Sequence, residues 1–314
     1  MSRWPTMQAR VEAYLDSRRR LGYELRIEGE QLQRFAHFAD ALSHHGVITI
    51  ALALAWACAS DRSGPIGRAR RLQGVRALAK FCVPFEPETQ VPPARLLGPS
   101  HRRLTPHIYT EGQLTQLLNA AGELAPAQGL RPATMGCLLG LLAATGLRVG
   151  EALHLQRTDV DLEQGLLCVR QTKFRKSRFV PLHHTTRDAL AAYAEQRDQH
   201  LPLPRAPAFF LCDNGHAFNA EQARYAFQCL RARLGWDSVP GRRPRLYDLR
   251  HTFACRRLLA WYQAGIDVNA AMPLLATYLG HTKVTDTYWY LTAIPALMAI
   301  VSERFDSQLE QVEP

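Results

Sequence analysis

Five side chains between residues 148 and 290 could together cleave a phosphodiester bond. Tyr290 carries a phenolic oxygen that can attack phosphorus and leave a covalent phosphotyrosine. Arg148 and Arg250 carry guanidinium groups, which stay protonated and can bind phosphate oxygens through two donors at once. Lys173 can give a proton to the departing 5′ oxygen, and His281 lies nearby in sequence to the tyrosine. Metal-dependent cleavage would need a carboxylate cluster, and the sequence shows no obvious one, so we expect a site without metal or other cofactor.

Arg148 follows an almost wholly apolar run, residues 135–144, which predicts a central buried helix ending at Thr145-Gly146. A charged arginine at the end of such a helix is costly unless it meets an anion. A structural ion pair with Glu151, three residues later, is the alternative to a bound phosphate. At this point both interpretations of Arg148 stay open.

The composition describes a folded and strongly basic protein. Of the 314 residues 47% are hydrophobic and 21% charged, and the formal net charge is +10. That surplus favours a polyanion, because each lysine or arginine that neutralises a phosphate releases condensed counterions; an ordinary basic enzyme is the alternative. The seven cysteines form no Cys-x-x-Cys pair, which favours a reducing cytoplasm over disulfides or zinc. No apolar run is long enough to span a bilayer, so no membrane role follows.

Residues 1–83 predict a helical domain whose fourth helix, residues 67–81, has a basic face. Its apolar residues recur at helical spacing and predict the buried face. The basic side chains, with no acidic residue among them, are Arg68, Arg70, Arg71, Arg76 and Lys80. A basic helix face is often only solvated, but the lack of counter-charges makes contact with DNA phosphates the other interpretation.

Prolines are frequent after this helix and predict a basic, semi-extended linker over residues 84–108, since proline fixes φ and lacks an amide donor. A second domain then covers residues 109–302, and a tail covers residues 303–314. Apolar runs at residues 166–169 and 179–182 predict two antiparallel strands joined by a basic turn. The candidate DNA contacts in that turn and in a later basic loop are Arg175, Lys176, Arg178, Arg242, Arg243 and Arg245.

Three further local expectations concern the second domain. We expect a helical segment from Glu151 that reaches Leu155 and a short strand at residues 209–212. Pro273 is expected to open a short helix that Gly280 closes, because proline suits the first turn of a helix and glycine its C-terminal end. The fold class predicted is thus mainly α with a small antiparallel β-sheet.

Four segments of the second domain occur in a characteristic order. They are Thr145-Gly146-Leu147-Arg148-Val149-Gly150-Glu151, the Lys173 turn ending in Ser177-Arg178-Phe179-Val180-Pro181-Leu182, Tyr247-Asp248-Leu249-Arg250-His251, and Leu279-Gly280-His281 with Tyr290 nine residues later. In order and spacing these segments resemble the tyrosine recombinases of the phage-integrase and Xer-like type. The helical N-terminal region resembles the core-binding domain of that family more loosely.

The resemblance implies that both domains close around duplex DNA and that four protomers assemble on two sites, with or without partner recombinases. It also implies a role for each site residue: Arg148, Arg250 and His281 hold the scissile phosphate, Lys173 is the general acid and Tyr290 is the nucleophile. Two competitors remain. Tyr288 could replace Tyr290, although the spacing from His281 favours the latter, and Lys176 could replace Lys173.

One position departs from the family's pattern. The segment around Arg250 usually reads His-x-x-Arg, but residue 247 is a tyrosine here. A free tyrosine has a pKa of about 10, so it is a poor base at neutral pH but a good hydrogen-bond donor. We therefore expect an orienting or phosphate-binding role for Tyr247, and a structural role for His251.

The sequence thus predicts site-specific DNA recombination through a 3′-phosphotyrosine intermediate, in the integration, excision or transposition of a mobile element or in the resolution of replicon multimers. The expected assembly is a homotetramer on DNA in the cytoplasm, associated with the nucleoid. Two alternatives remain: strand cleavage and rejoining like that of type IB topoisomerases, and a catalytically silent DNA-binding relative, which Tyr247 alone favours.

Overall fold

A computed structural model describes residues 4–60, 63–101, 105–170, 177–238 and 243–291. The chain divides into two compact units, Met1–Leu104 and Thr105–Pro314, and each has a hydrophobic core of its own. The first unit is helical, and the second combines helices with a three-stranded antiparallel sheet. The predicted fold class is therefore confirmed. Within the described ranges, no helix has the length and apolar character needed to cross a membrane.

The described part of the first unit contains four helices: α1 (Met7–Arg20), α2 (Arg26–Ala41), α3 (Ile50–Cys58) and α4 (Pro65–Cys82). Thr6 and Thr49 cap the N-termini of α1 and α3, and the side chain of each accepts a hydrogen bond from a backbone N–H of the first turn. The apolar side of α4, with Leu72, Val75 and Leu78, is buried in the core. Its basic side therefore faces outward, as the helical spacing predicts.

The proline-rich stretch after α4 packs in part against these helices. Arg10 of α1 forms a buried ion pair with Glu86, with Nε 2.8 Å from Oε2. The backbone N–H of Ile50 donates to the side chain of Gln90. Removing one partner of a buried ion pair costs about 3–5 kcal/mol, so this pair ties the stretch to the first unit. The compact unit extends to Leu104, within the linker predicted at residues 84–108.

The second unit is organised around a central helix. Its described helices are α5 (Glu111–Gly122), α6 (Arg131–Thr145), α7 (Val149–Leu153), α8 (His184–His200), α9 (Ala220–Arg233), α10 (Asp248–Gln263), α11 (Val268–Leu279) and α12 (Thr285–Tyr288). The apolar helix α6 packs against α5, α8 and α10 and is buried along most of its length. Thr110 and Gln113 form the predicted capping box at the start of α5.

The sheet lies in the second unit and consists of β1 (Val160–Asp161), β2 (Leu166–Val169) and β3 (Arg178–Pro181), in that order. Both strand pairs are antiparallel, and Val169 lies opposite Arg178 at the end of the β2–β3 pair that is next to the connecting residues. The predicted pair of strands is therefore present, with β1 added at one edge. The turn between them, residues 171–176, lies outside the described residues.

Two of the local expectations near the sheet are wrong. The helix expected to reach Leu155 ends at Leu153, because the Leu155 carbonyl accepts a hydrogen bond from Phe209 in a separate segment. Residues 209–212 contribute an isolated bridge between Leu211 and Ala217 instead of a strand. At Leu155 pairing with a distant segment overrides the local pattern, whereas the bridge from Leu211 to Ala217 joins residues only six apart.

The expectation for Pro273 is also wrong. Pro273 lies inside α11, which begins five residues earlier at Val268. The side chain of the preceding Asp267 caps the helix by accepting hydrogen bonds from two backbone N–H groups. The helix continues through the proline to Leu279, and Gly280 ends it as predicted, with a φ of 69°. Asp267 is therefore the residue that sets the start of the helix.

Candidate active site

The candidate site forms where two helices of the second unit end. Helix α6 ends at Gly146 and α11 at Gly280, with φ angles of 63° and 69°, a conformation that glycine adopts without steric cost. The last carbonyls of a helix have no partner within it and carry partial negative charge. Three arginines donate hydrogen bonds to the carbonyls at these two ends: Arg148, Arg178 and Arg250.

Arg250 joins the two helix ends directly. Its Nη1 donates to the carbonyl of Gly146 at 2.8 Å, and its Nη2 donates to the carbonyl of Leu279 at 2.7 Å. The residue is only 1% exposed, and this burial lowers the pKa of the guanidinium from its usual value. Arg250 is supplied by the first turn of α10, so the packing of α10 on α6 fixes its position.

Arg148 precedes α7 and shares the carboxylate of Glu151 with Arg178. Arg148 Nη1 donates to Oε1 at 2.7 Å, and its backbone N–H donates to Oε2 at 3.1 Å. Burial favours a higher pKa for Glu151, but hydrogen bonds from Arg178 and Arg148 outweigh it and lower the pKa to about 2. The ion pair with Glu151 is therefore present, and Arg148 stays partly exposed, so its contact with a phosphate stays a prediction.

His281 follows Gly280 and is held through both ring nitrogens. Its Nε2 lies 2.8 Å from Arg250 Nη2, and its Nδ1 lies 2.7 Å from Thr287 Oγ1. A guanidinium can only donate, so Nε2 accepts and Nδ1 carries the proton that is donated to Thr287. Burial, and then the charge of Arg250, lower the pKa of His281 to about 4. The ring is therefore neutral at pH 7.

Tyr290 lies beside this histidine. Its ring stacks on that of His281 with centroids 6.0 Å apart, and it meets the edge of the His251 ring at 5.3 Å. Tyr290 is 2% exposed, whereas Tyr288 is 40% exposed. Burial raises the pKa of Tyr290, and the charge of Arg250 opposes the rise. Of the two candidate tyrosines, Tyr290 is thus the one that contacts the histidine.

Tyr247 extends this row of rings towards solvent. Its ring meets that of His251 edge to face, with centroids 4.9 Å apart, and the residue is 44% exposed. His251 therefore lies between the rings of Tyr247 and Tyr290, where it packs against both. An exposed phenol at this point can reach a ligand that enters from solvent.

Comparisons with known proteins show the family to which this chain belongs. The profile of the phage integrase family matches residues 108–295. A protein of Sinorhizobium fredii named as integrase/recombinase y4rB is 39% identical over 97% of this chain and 98% of its own length. The chain belongs to the phage integrase family of tyrosine recombinases. The reaction of that family is the cleavage and rejoining of DNA strands.

More distant relatives of the recombinase extend the comparison. Tyrosine recombinase XerD of Bradyrhizobium diazoefficiens is 29% identical over 78% of this chain and 75% of its own length. Among solved structures, the Tn1549 transposon integrase in complex with circular intermediate DNA has a TM-score of 0.67 at 19% identity. That match covers 91% of this chain and 95% of the other, and it shows a shared fold.

The recombinase brings most of the predicted catalytic residues into one unit. Those placed together at the two helix ends are Arg148, Tyr247, Arg250, His281 and Tyr290. The predicted general acid Lys173 lies outside the described residues, as do Arg175, Lys176 and Arg242. Among the residues that are described, no group of three or more His, Cys, Asp or Glu side chains is placed to hold a metal ion.

The basic side chains of α4, predicted as DNA contacts, are partly engaged within the first unit of the recombinase. Arg68, Arg70 and Arg76 donate through Nε to the carbonyls of Ser63, Ser100 and Pro92. Arg71 donates to the carbonyl of Trp56 and stacks over its ring, with Cζ 3.7 Å from the centroid. A bond from Nε leaves the outer donors of a guanidinium available, and Lys80 is exposed.

The loop before Tyr247 contributes two more predicted DNA contacts. Arg243 is mostly exposed, with Nε 3.8 Å from Asp237 Oδ1. Arg245 pairs with the buried carboxylate of Asp248, with Nη2 2.7 Å from Oδ1. The ion pair fixes Arg245 at the surface just before the helix that supplies Arg250.

Sequence reasoning missed two features of the site. Thr287 is buried and accepts a hydrogen bond from Nδ1 of His281. Its position in the sequence, one helical turn before Tyr290, could have indicated that it lies near the site. Arg178 was predicted to contact DNA, but its three nitrogens bind acceptors within the protein. The acceptors are Glu151 and the carbonyl of Tyr278, which lie 27 and 100 residues away in sequence, so no local pattern indicates them.

Proposed function

We propose that this chain carries out site-specific DNA recombination, with Tyr290 as the nucleophile and with Arg148, Arg250 and His281 around the scissile phosphate. The observation that carries the proposal is the series of contacts from Arg250 through His281 to the ring of Tyr290. It brings the phenol close to a guanidinium that is already fixed in place. Fixed donors of this kind stabilise the charge that develops on the non-bridging oxygens during attack.

In the cleavage step the oxygen of Tyr290 forms a bond to phosphorus, and the bond from phosphorus to the 5′ oxygen breaks. The phenol releases its proton to solvent, and the departing 5′ oxygen gains one, for which Lys173 is the proposed donor. The 3′ end of the cut strand is then held as a phosphotyrosine ester. Attack on that ester by a 5′ hydroxyl of another strand reverses both bond changes and joins the DNA, so no external energy source is required.

The charges around the site support an anionic ligand. Arg148, Arg178 and Arg250 each carry a positive charge, and Glu151 supplies the carboxylate that pairs with two of them. His281 is neutral at pH 7 because its pKa is about 4. Positive charge in a partly buried site is costly unless it is paired. A phosphate of DNA would supply the counter-charge.

The proposal is tested by trapping the covalent intermediate. The protein is incubated with nicked duplexes that cover the DNA flanking its encoding locus, so that a short fragment diffuses away after cleavage and rejoining fails. Adducts that survive denaturation are isolated, the attached DNA is sequenced and the modified peptide is mapped. We expect an adduct at Tyr290, and we expect the attached DNA sites to share one sequence pattern.

Two tyrosine variants form the matched pair for this experiment. Tyr290→Phe is expected to abolish the adduct, since phenylalanine has no oxygen to attack phosphorus. Tyr288→Phe removes a hydroxyl group two residues away, and this variant is expected to form the adduct as wild type does. An adduct formed by Tyr290→Phe would overturn the assignment of the nucleophile.

The proposed acid role of Lys173 has its own test. Lys173→Ala is expected to lose cleavage of ordinary DNA and to regain it on DNA with a 5′-bridging phosphorothioate, because a thiolate departs without a proton. Lys176→Ala is expected to cleave both substrates. Loss without rescue in Lys173→Ala, or the rescue pattern in Lys176→Ala, would contradict the assignment.

We further propose that four copies assemble on two DNA sites, which distinguishes recombination from a topoisomerase-like reaction. Light scattering measures the mass of the complex, and exchange of labelled strands measures recombination. A complex of one protein on one duplex that relaxes supercoiled DNA without strand exchange would favour the topoisomerase-like alternative. Specific DNA binding without any adduct would favour a silent DNA-binding relative.

A role in a mobile element, in the cytoplasm and in contact with the nucleoid, completes the proposal. It is supported by the similarity to integrase/recombinase y4rB of Sinorhizobium fredii and by Tyr247, which departs from the commonest family pattern. Inverted repeats on both sides of the encoding locus, recovered as adduct sites in the trapping experiment, would support it. Adduct sites confined to the region of replication termination would favour the resolution of replicon multimers instead.

A further inference from the structure

Arg178 is placed differently from the other basic residues predicted near the DNA. It is the first residue of β3, directly after the basic turn, yet its side chain is only 12% exposed. Nε donates to the carbonyl of Tyr278 at 2.8 Å, and Nη1 and Nη2 donate to the two oxygens of Glu151 at 3.2 and 2.9 Å. Every nitrogen of the guanidinium thus has an acceptor within the protein.

The backbone of Gly280 lies directly against this guanidinium. A Cβ atom at residue 280 would lie 2.6 Å from Arg178 Nη1 and 2.8 Å from its Cζ. Arg178 therefore supports the turn that leads into His281, in addition to binding Glu151. Three parts of the site meet at this one side chain: the base of the basic turn, the start of α7 and the end of α11.

The charge balance explains why this arrangement matters for Arg148. The two guanidinium groups of Arg148 and Arg178 share the single carboxylate of Glu151. Two positive charges against one negative charge leave the group with a surplus of one positive charge. Without Arg178, Glu151 and Arg148 would form a neutral pair, and Arg148 would have less attraction for a phosphate.

We propose that Arg178 is a positioning residue for strand cleavage, an inference that rests on the proposed function. It occupies Glu151 and supports the Gly280 turn, so that the guanidinium of Arg148 remains available to the scissile phosphate. This role differs from the direct DNA contact that the basic turn suggests for Arg178. It also differs from general support of the fold, because it acts through the charge of Glu151.

The first comparison separates positioning from loss of charge. In single-turnover cleavage of the trapping substrate, Arg178→Gln is expected to be about 100-fold slower, the scale on which a misplaced reacting group lowers a rate. Its affinity for the same DNA is expected to stay unchanged, since all three nitrogens of Arg178 already bind acceptors within the protein. Arg187→Gln is the matched control, because Arg187 is an exposed arginine of the same unit that pairs with the adjacent Asp188. It is expected to cleave at the wild-type rate.

The second comparison tests the role of Glu151. If Arg178 acts by occupying this carboxylate, then adding Glu151→Gln to Arg178→Gln removes the charge that captures Arg148. The double variant is expected to cleave about tenfold faster than Arg178→Gln, within the range of coupling between residues that touch. A purely structural role predicts no gain, because the second substitution removes further hydrogen bonds.

The outcomes that overturn the inference are distinct from failure of the proposed function. Equal cleavage by Arg178→Gln and Arg187→Gln overturns it, as does a double variant with no gain. Weaker DNA binding by Arg178→Gln, with the salt dependence reduced by about one ion, would show a direct phosphate contact instead. If wild-type protein forms no adduct at Tyr290, the proposed function fails first, and the inference falls with it.

A variant that keeps the charge covers the case in which Arg178→Gln does not fold, as judged by circular dichroism and thermal unfolding. Arg178→Lys retains a positive charge near Glu151 but cannot bind both oxygens in the planar arginine geometry. It is expected to cleave at a rate between those of wild type and an inactive variant, and to gain rate when Glu151→Gln is added. A lysine variant that is not improved by Glu151→Gln overturns the inference.

Discussion

Nη2 of Arg250 lies 2.8 Å from Nε2 of His281 and also donates to the carbonyl of Leu279 at 2.7 Å. A guanidinium has no acceptor, so the histidine presents its unprotonated nitrogen to the arginine and is neutral. A phosphate that binds here competes with the ring for the donors of Arg250. Its negative charge also favours protonation of Nε2, which would turn the histidine into a second donor.

The pKa of His281 is therefore expected to depend on DNA. Without DNA it should be about 4, because burial and then Arg250 disfavour the charged ring. Bound DNA should raise the pKa, since the phosphate offsets the charges of Arg250 and Arg148. Nuclear magnetic resonance of ¹³C-labelled histidine rings measures both values, with His281→Gln used to assign the signal. An ordinary pKa of about 6.5 without DNA would contradict the observed contact.

The same pKa predicts how the free energy of unfolding varies with pH. The pKa of His281 is about 4 in the folded protein and about 6.5 in an unfolded chain. Below pH 6.5 the unfolded state takes up a proton that the folded state does not, so stability falls as the pH drops from about 6.5 to 4. Chemical denaturation should show a shallower fall in His281→Gln. Parallel curves for the two proteins would disprove this coupling.

Thr287 is expected to affect cleavage through the orientation of His281. Thr287→Val keeps the shape of the side chain but removes the acceptor of the Nδ1 proton. The loss of one hydrogen bond, about 1 kcal/mol, corresponds to roughly a fivefold slower single-turnover cleavage. Thr287→Ser should retain most of the rate, and Thr285→Val, on the exposed side of α12, should be neutral. Equal rates for both valine variants would count against the orienting role.

Much of the candidate site could be predicted because its signals are local. The end of α6 at Gly146 and the end of α11 at Gly280 follow from glycine after an apolar run, and both glycines have the expected left-handed conformation. Arg148 and His281 follow these glycines closely in sequence. Their positions at the two helix ends were therefore fixed by short-range patterns.

The remaining parts depend on contacts between distant segments. The pairing of Arg178 with Glu151 needs β3 and the start of α7 to meet, and neither segment indicates that partner by itself. The start of α11 has a different and local cause: Pro273 predicts a helix start, whereas the capping side chain of Asp267 sets it. The sequence around Arg178 also does not indicate that its side chain is mostly buried, because exposure is decided by tertiary packing.

A pair of glycines tests how closely Arg178 approaches the α11 turn. Gly280 and Gly265 have similar φ angles, 69° and 73°, but a Cβ at residue 265 meets no atom within 4 Å. Alanine at either position costs about 1–2 kcal/mol for the left-handed conformation. Gly280→Ala should cost more in thermal unfolding and should also slow cleavage, because its Cβ displaces Arg178. Gly265→Ala should leave cleavage intact, and similar behaviour of the two variants would argue against the close approach.

The basic face of α4 is tested by one exposed member and by one that is engaged within the unit. Lys80 is exposed, so Lys80→Gln should weaken DNA binding and reduce the slope of log affinity against log salt by about one. Arg71 stacks on Trp56 and donates to its carbonyl, so Arg71→Gln should lower the melting temperature and change the salt slope less. Fluorescence anisotropy over a salt series measures both slopes. If Lys80→Gln leaves the slope unchanged, the face is merely solvated, because a lysine that neutralises a phosphate cannot be removed without altering counterion release.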